Sequence, residues 1–204
     1  MRRRLEYLFI AASLCLCISN AAAQTCGTDF YRWCAKIDAT LADSVPHKTK
    51  VSTILGSWTA RALFLGDKTA VRAGREKRVY SVTGWVRHVD RTEDDDDWHI
   101  EITSRSDSPP EACIIVEIPK VDQEGNQGNY GSARDDFNAR LAAAGAHLDS
   151  HNDLDPPVRI RFIGAAFFDG AHHTHAGGSS HHGSCNASER ALWEIHPVYF
   201  VKQP

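Results

Sequence analysis

Apolar and polar residues alternate through most of the chain beyond residue 77. Val79-Tyr80-Ser81-Val82-Thr83-Gly84-Trp85-Val86-Arg87-His88-Val89 is the longest such stretch, and Asp97-Trp98-His99-Ile100-Glu101-Ile102 repeats the pattern. Side chains of a strand point alternately to its two faces, so a period of two predicts strands with one apolar side. On this basis strands are expected at about 78–89, 98–104, 112–119, 158–168 and 191–201, with Gly84 marking a bend or bulge in the first. Phe137, Leu141 and Ala144 change the period to that of a helix, opened by Ser132. Three strands, a helix and two strands is the element order of a five-stranded OB barrel. The fold class expected is therefore mainly β, OB-like, with an open α+β sheet as the other arrangement of the same elements.

The N-terminal part reads differently. Arg2, Arg3 and Arg4 precede an apolar run from Leu8 to Ile18, and Ala21-Ala22-Ala23 supplies small residues for cleavage. This is the layout of an export signal at 1–23, and the run is shorter than the roughly 20 residues a spanning helix needs. Residues 24–76 form an N-terminal helical extension to the OB-like domain at 77–204. In the extension, Phe30, Trp33, Cys34, Ile37 and Leu41 recur at helical spacing after Thr28-Asp29, up to Pro46. Residues 47–76 fit neither period cleanly.

Alternation also decides where the chemistry falls. If the apolar members of each strand fill the core, His99, Glu101, Glu117, Glu194 and His196 share the opposite, outward face. In OB order the second and third strands are antiparallel and the third lies beside the fifth, so His99 is expected near Glu117 and His196 on its other side. Two imidazoles and a carboxylate are a donor set for a divalent metal such as zinc, with Glu101 or Glu194 as catalytic bases toward a bound water. Asp169 and His172 belong at the margin of this metal site. They begin a Gly/Ser-rich segment that also carries His173, His175, His181 and His182, a composition common in weak metal sites. An outward polar side with no ligand accounts for the same residues, as does a solvated loop for the His-rich segment.

Charge and cysteines narrow the classes. Loss of the signal turns 23 basic and 26 acidic residues into 20 and 25, a formal charge of −5. A mildly acidic chain is a poor general ligand for phosphate backbones, so nucleic acid is the less favoured partner despite aromatic residues such as Trp85. Cys26, Cys34, Cys113 and Cys185 remain, an even number that suits two disulfides in an oxidising compartment, periplasmic or extracellular. Proximity favours Cys26–Cys34, which leaves Cys113–Cys185. The acidic run from Glu93 to Asp97 lacks the spacing of a calcium loop and reads as a solvated hairpin tip.

Val82-Thr83-Gly84, Asp97-x-His99, Val116-Glu117-Ile118-Pro119, Gly164-x-x-Phe167-Phe168-Asp169 and Glu194-x-His196-Pro197-Val198 together resemble a group of small exported bacterial proteins. The resemblance covers about 78–201 and implies an OB-like core with these polar residues as a shared site; it carries no agreed activity. Two readings follow. One is an exported binding or structural module for a small molecule, a glycan or a protein, or for a metal. The other is a metal-dependent hydrolase acting on phosphodiesters.

Overall fold

The computed structural model describes residues 30–92, 94–120, 130–174 and 182–204. Seven strands form one mixed sheet: β1 (His47–Lys50), β2 (Val79–Asp90), β3 (Trp98–Thr103), β4 (Cys113–Ile118), β5 (His147–Leu148), β6 (Asp153–Phe168) and β7 (Trp193–Lys202). Their order is β1-β2-β3-β4-β7-β6-β5, and a further pairing of β2 with β6 returns the sheet on itself. A ring of five strands, β2-β3-β4-β7-β6, results. Within it β4 and β7 run parallel through Val116 and Ile195 while the other neighbours are antiparallel. The chain is thus mainly β, and the ring strands fall where the period of two predicted them. Three helices complete the fold: α1 (Trp33–Lys36), α2 (Val51–Ser57) and α3 (Tyr130–Ala143).

The apolar positions of the alternating stretches make the core. Val82 and Val86 of β2, Ile100 and Ile102 of β3, Ile114 and Val116 of β4, Ile160 and Phe162 of β6 and Ile195 of β7 are all buried in one cluster. Helix α3 adds Ala133, Phe137 and Leu141, the i, i+4, i+8 stripe that a helix needs to bury one side. The Phe137 ring lies 6.1 Å from both Phe162 and Trp98. Val51, Ile54 and Trp58, from the stretch whose period was ambiguous, join the same cluster.

Several local expectations are corrected. Gly84 is not the bulge: the β2 register slips between Val86 and His88, whereas a Cβ on Gly84 would stand 2.9 Å from the Ile102 Cβ, so its glycine permits close approach of β3. Strand β6 starts at Asp153 rather than 158, and Pro156-Pro157 sits inside it, between the paired residues Asp153 and Val158, where no ladder donor is required. Helix α3 opens at Tyr130, ahead of Ser132. The expected helix from Phe30 to Leu41 shrinks to the four residues of α1. Tyr31, Trp33, Ala35 and Ile37 are buried, and Arg32 takes a left-handed conformation (φ 47°), so the segment lies as a strap across the sheet. Residues 1–23, read as a signal, and Cys26 lie outside the described residues.

Cys113 and Cys185 are joined as expected, linking β4 to the end of the His-rich segment across a sequence separation of 72. Cys34 is also disulfide-bonded. Among the described residues no helix is long and apolar enough to cross a membrane. Closing a loop of this size should stabilise the fold by about 4 kcal/mol in the chain-entropy view. A Cys113→Ser/Cys185→Ser chain is therefore expected to unfold at lower denaturant than the parent by that order. Phe137→Ala should cost about 3–5 kcal/mol by emptying a fully buried site. Equilibrium urea unfolding measures both, and a loss under 1 kcal/mol at Phe137 would contradict the packing described.

Candidate metal centre

The polar members of the alternating strands converge. His99 of β3 is directly opposite Glu117 of β4 in the antiparallel ladder, and Glu194 of β7 is opposite Phe167 of β6. Asp97 immediately precedes β3 and Asp169 immediately follows β6. The face they share is not exposed, however. Asp97, His99, Glu101, Glu117, Asp169, Glu194 and His196 are each no more than 4% accessible. The outward-facing expectation fails because two segments cover this side: the strap at residues 31–37 and the turn at residues 182–185. Alternation separates two faces but says nothing of what is later laid over the polar one.

Within this layer Glu117 stands between the two predicted histidines. Its Oε1 is 3.3 Å from His99 Nδ1 and its Oε2 is 2.6 Å from His196 Nδ1. His196 Nε2 lies 3.1 Å from Asp97 Oδ2, and His196 Nδ1 lies 3.5 Å from Glu194 Oε2. These are ion-pair distances, with carboxylates facing both ring nitrogens of His196 in an alignment short of regular hydrogen bonds. Asp97 Oδ2, Glu117 Oε2, Glu194 Oε2 and both nitrogens of His196 are buried without a hydrogen-bond partner among the described residues. Buried carboxylates are costly without positive charge beside them, and in such a layer an imidazolium or a divalent cation can supply it. Ligands around a tetrahedral zinc with bonds of about 2.0–2.1 Å stand about 3.3 Å apart, a spacing matched by the contacts of 3.1, 3.3 and 3.5 Å and not by the 2.6 Å contact of Glu117 with His196.

His182 is the donor that the sequence did not distinguish from its neighbours. It comes from the covering turn, where its Nδ1 donates to Glu194 Oε1 at 2.8 Å and lies 3.5 Å from Asp169 Oδ2. The disulfide at Cys185 and a pair of main-chain hydrogen bonds between His182 and Cys185 hold the turn down. Gly183 adopts φ +55°, with its missing Cβ against the carboxylate of Glu101, and the Ser184 amide donates to Glu101 Oε1 at 2.6 Å. Three groups of donors lie within 4.8 Å of one another: Asp97, Glu117 and His196; His99, Glu117 and His182; Asp169, His172 and His182. A fourth, Glu101 with Cys113 and Cys185, lacks thiolates because the sulfurs are bonded together.

The predicted residues are thus brought into one layer, though not equally. His99, Glu117 and His196 meet directly. Asp169 and His172 reach them through His182, whose ring stacks on His172 at 4.0 Å. Glu194 is a partner of His182 and His196, fully enclosed. Glu101 sits at the border and lines a cavity of about 240 Å³ with Arg87, His88 and Ser184. His173 turns away: its Nδ1 donates to the Leu63 carbonyl (2.8 Å) and its ring stacks on Phe64. His175 and His181 lie outside the described residues.

Charge in this layer is shared out by position. Burial would raise the Glu117 carboxyl, but Lys36 and His196 hold it well below the usual carboxylate range. Burial would lower His196, and Glu117, Asp97 and Glu194 override it to push the imidazole well above its ordinary value. Asp169 is pushed up to about 6 by burial and by the charge of Glu194, and His172 is lowered to about 4 by burial and by His182. Lys36, on the strap, points its Nζ to Asp95 Oδ2 (2.9 Å) and Glu117 Oε2 (3.8 Å). Asp95 and Asp97 therefore belong to the site's edge, not to a wholly solvated tip.

The strap is fixed by two arginines. Arg32 donates to both oxygens of the buried Glu76, at 2.7 and 3.0 Å, and to the Phe168 carbonyl. Arg61 also pairs with Glu76. Arg72 donates to the carbonyls of Ala35 and His196, tying strap to β7 behind the site. Comparison with family models, curated proteins and solved structures finds no match. Truncating Glu76 leaves Arg32 buried without its partner, so Glu76→Ala is expected to destabilise by about 3–5 kcal/mol. It should also loosen the strap selectively: amide exchange at residues 32–37 should quicken more than in β3 or β4. Uniform protection in both places would contradict this role.

Proposed function

We propose that the protein is an exported metal-binding module built on an OB-like ring of strands. The OB-like reading is supported by the ring order β2-β3-β4-β7-β6, by the parallel neighbours β4 and β7, and by a helix between the third and fourth ring strands. Export is supported by the N-terminal sequence and by a disulfide suited to an oxidising compartment. The observation that carries the metal reading is the set of buried imidazole and carboxylate donors brought within 4.8 Å of one another. Mixed N and O donors favour zinc or a neighbouring first-row divalent ion over calcium or magnesium, which take oxygen. Enclosure of the donors favours an ion that is held over one that turns over substrate, since catalytic zinc keeps an open position.

A metal-dependent phosphodiesterase remains the second reading, favoured by Glu101 at the wall of the cavity beside His99. Glu101 is then the base and the enclosed Glu194 the group that orients His182. Elemental analysis of the full processed chain after zinc loading and desalting tests the first reading. Bound zinc is expected in the parent, with loss of at least one equivalent in His99→Ala and in His196→Ala at unchanged far-UV circular dichroism. Metal-free parent protein would end the proposal. Turnover of a chromogenic phosphodiester that Glu101→Gln abolishes without removing the metal would favour the hydrolase.

A further inference from the structure

We infer that the centre holds two divalent cations, bridged by the carboxylate of Glu117; this rests on the metal-binding reading and adds the number of ions and their division among ligands. Two of the donor groups share Glu117 and nothing else: Asp97 with His196 on one side, His99 with His182 on the other. The two oxygens of the shared residue divide accordingly. Oε2 faces His196 Nδ1 at 2.6 Å, with Asp97 Oδ2 3.1 Å from the other nitrogen of that ring, and Oε1 faces His99 Nδ1 at 3.3 Å. A carboxylate so placed offers one oxygen to each ion, as in two-metal sites whose ions sit about 3.5–4 Å apart.

The charges of the layer are compatible with a pair of ions. Asp97, Glu101, Glu117, Asp169 and Glu194 are five buried carboxylates of the layer, and among the described residues the buried ammonium facing them is Lys36, which also pairs with Asp95. Arg32 and Arg72 are engaged behind the strap by Glu76, Asp38 and main-chain carbonyls. The carboxylates of the layer thus outnumber its ammonium, and a pair of divalent ions is accommodated there without an excess of positive charge.

The surrounding groups fit two ions of different standing. The first site, Asp97, Glu117 and His196, lies on or next to strands of the ring. The second depends on His182, whose Nδ1–H is held by Glu194 so that Nε2 is left as the metal donor. That ligand arrives on a turn pinned by the Cys113–Cys185 disulfide. The second ion is therefore the one that the covering turn controls.

Native mass spectrometry and elemental analysis of the full processed chain, loaded separately with Zn²⁺ and Mn²⁺, test the inference. The parent should hold two ions, and His182→Ala and Asp97→Ala should each hold one. Glu117→Gln should weaken both, shifting the zinc titration at least tenfold. The Mn²⁺-loaded parent should give the exchange-coupled electron paramagnetic resonance spectrum of a bridged pair. A parent with no ion overturns the metal reading itself and this inference with it. A parent with a single ion leaves that reading standing and overturns only the pair. Two ions that persist in His182→Ala, or two uncoupled Mn²⁺ spectra, place the second ion elsewhere and likewise overturn the bridge. Should a variant fail to fold, the coupled or uncoupled spectrum of the parent decides the matter alone.

Discussion

Five carboxylates are enclosed between the sheet and the segments laid over it, and the cost of keeping them there governs the rest of the molecule. Removing one carboxylate from water costs several kcal/mol even after the surroundings relax, so such a layer persists only where cations and donors are supplied to it. Every covering element brings one. The strap brings Lys36 to Glu117, the turn brings His182 to Glu194, and the Lys120 amide reaches Asp97 from the end of β4. Covering the polar face and compensating it are one arrangement.

This explains why the strap is so heavily anchored for so short a helix. Trp33–Lys36 is too short to be stable by its own hydrogen bonds. It is held instead by Arg32 on Glu76 and by Arg72, which joins the carbonyls of Ala35, Ala166 and His196. The guanidinium of Arg32 also lies 4.8 Å from the Phe167 ring centroid, so the same residue packs and pairs. The arginines fix the main chain, and Lys36 is left to deal with the acids.

The ring strands and the helix between the third and fourth were legible because each buries an apolar set at its own period. Val82, Ile100, Val116 and Ile195 could hardly be arranged otherwise. The pairing of His99 with Glu117 was legible too, since consecutive strands joined by a short connection take a register that alternation limits. What was not legible depended on contacts distant in sequence. Nothing local in Tyr31-Arg32-Trp33 announces that Glu76 will capture the arginine and lay the segment flat. Among the histidines, His182 differs from His173 only through its neighbour Cys185, and a reading of the disulfide as an anchor for that segment was the signal available. Lys36 carried no signal, because one lysine within an apolar stretch reads as a solvated side chain.

Anchoring independent of any ion has a consequence for the centre. In domains whose metal supplies most of the folding energy, ligands assemble only as the ion binds, and affinity is spent on ordering the chain. Here the ladder places His99 and Glu117, a disulfide places the turn of His182, and arginines place the strap, all through interactions that need no metal. The donors are consequently held close together without an ion. On the proposed metal-binding reading, an ion entering this layer would not have to order the chain, so its binding energy would go to affinity and selectivity. Lys36 sets the limit to this, because its ammonium already neutralises part of Glu117. An ion at that oxygen must work beside a fixed positive charge, and the negative charge contributed by Asp97, Asp169 and Glu194 is what offsets it.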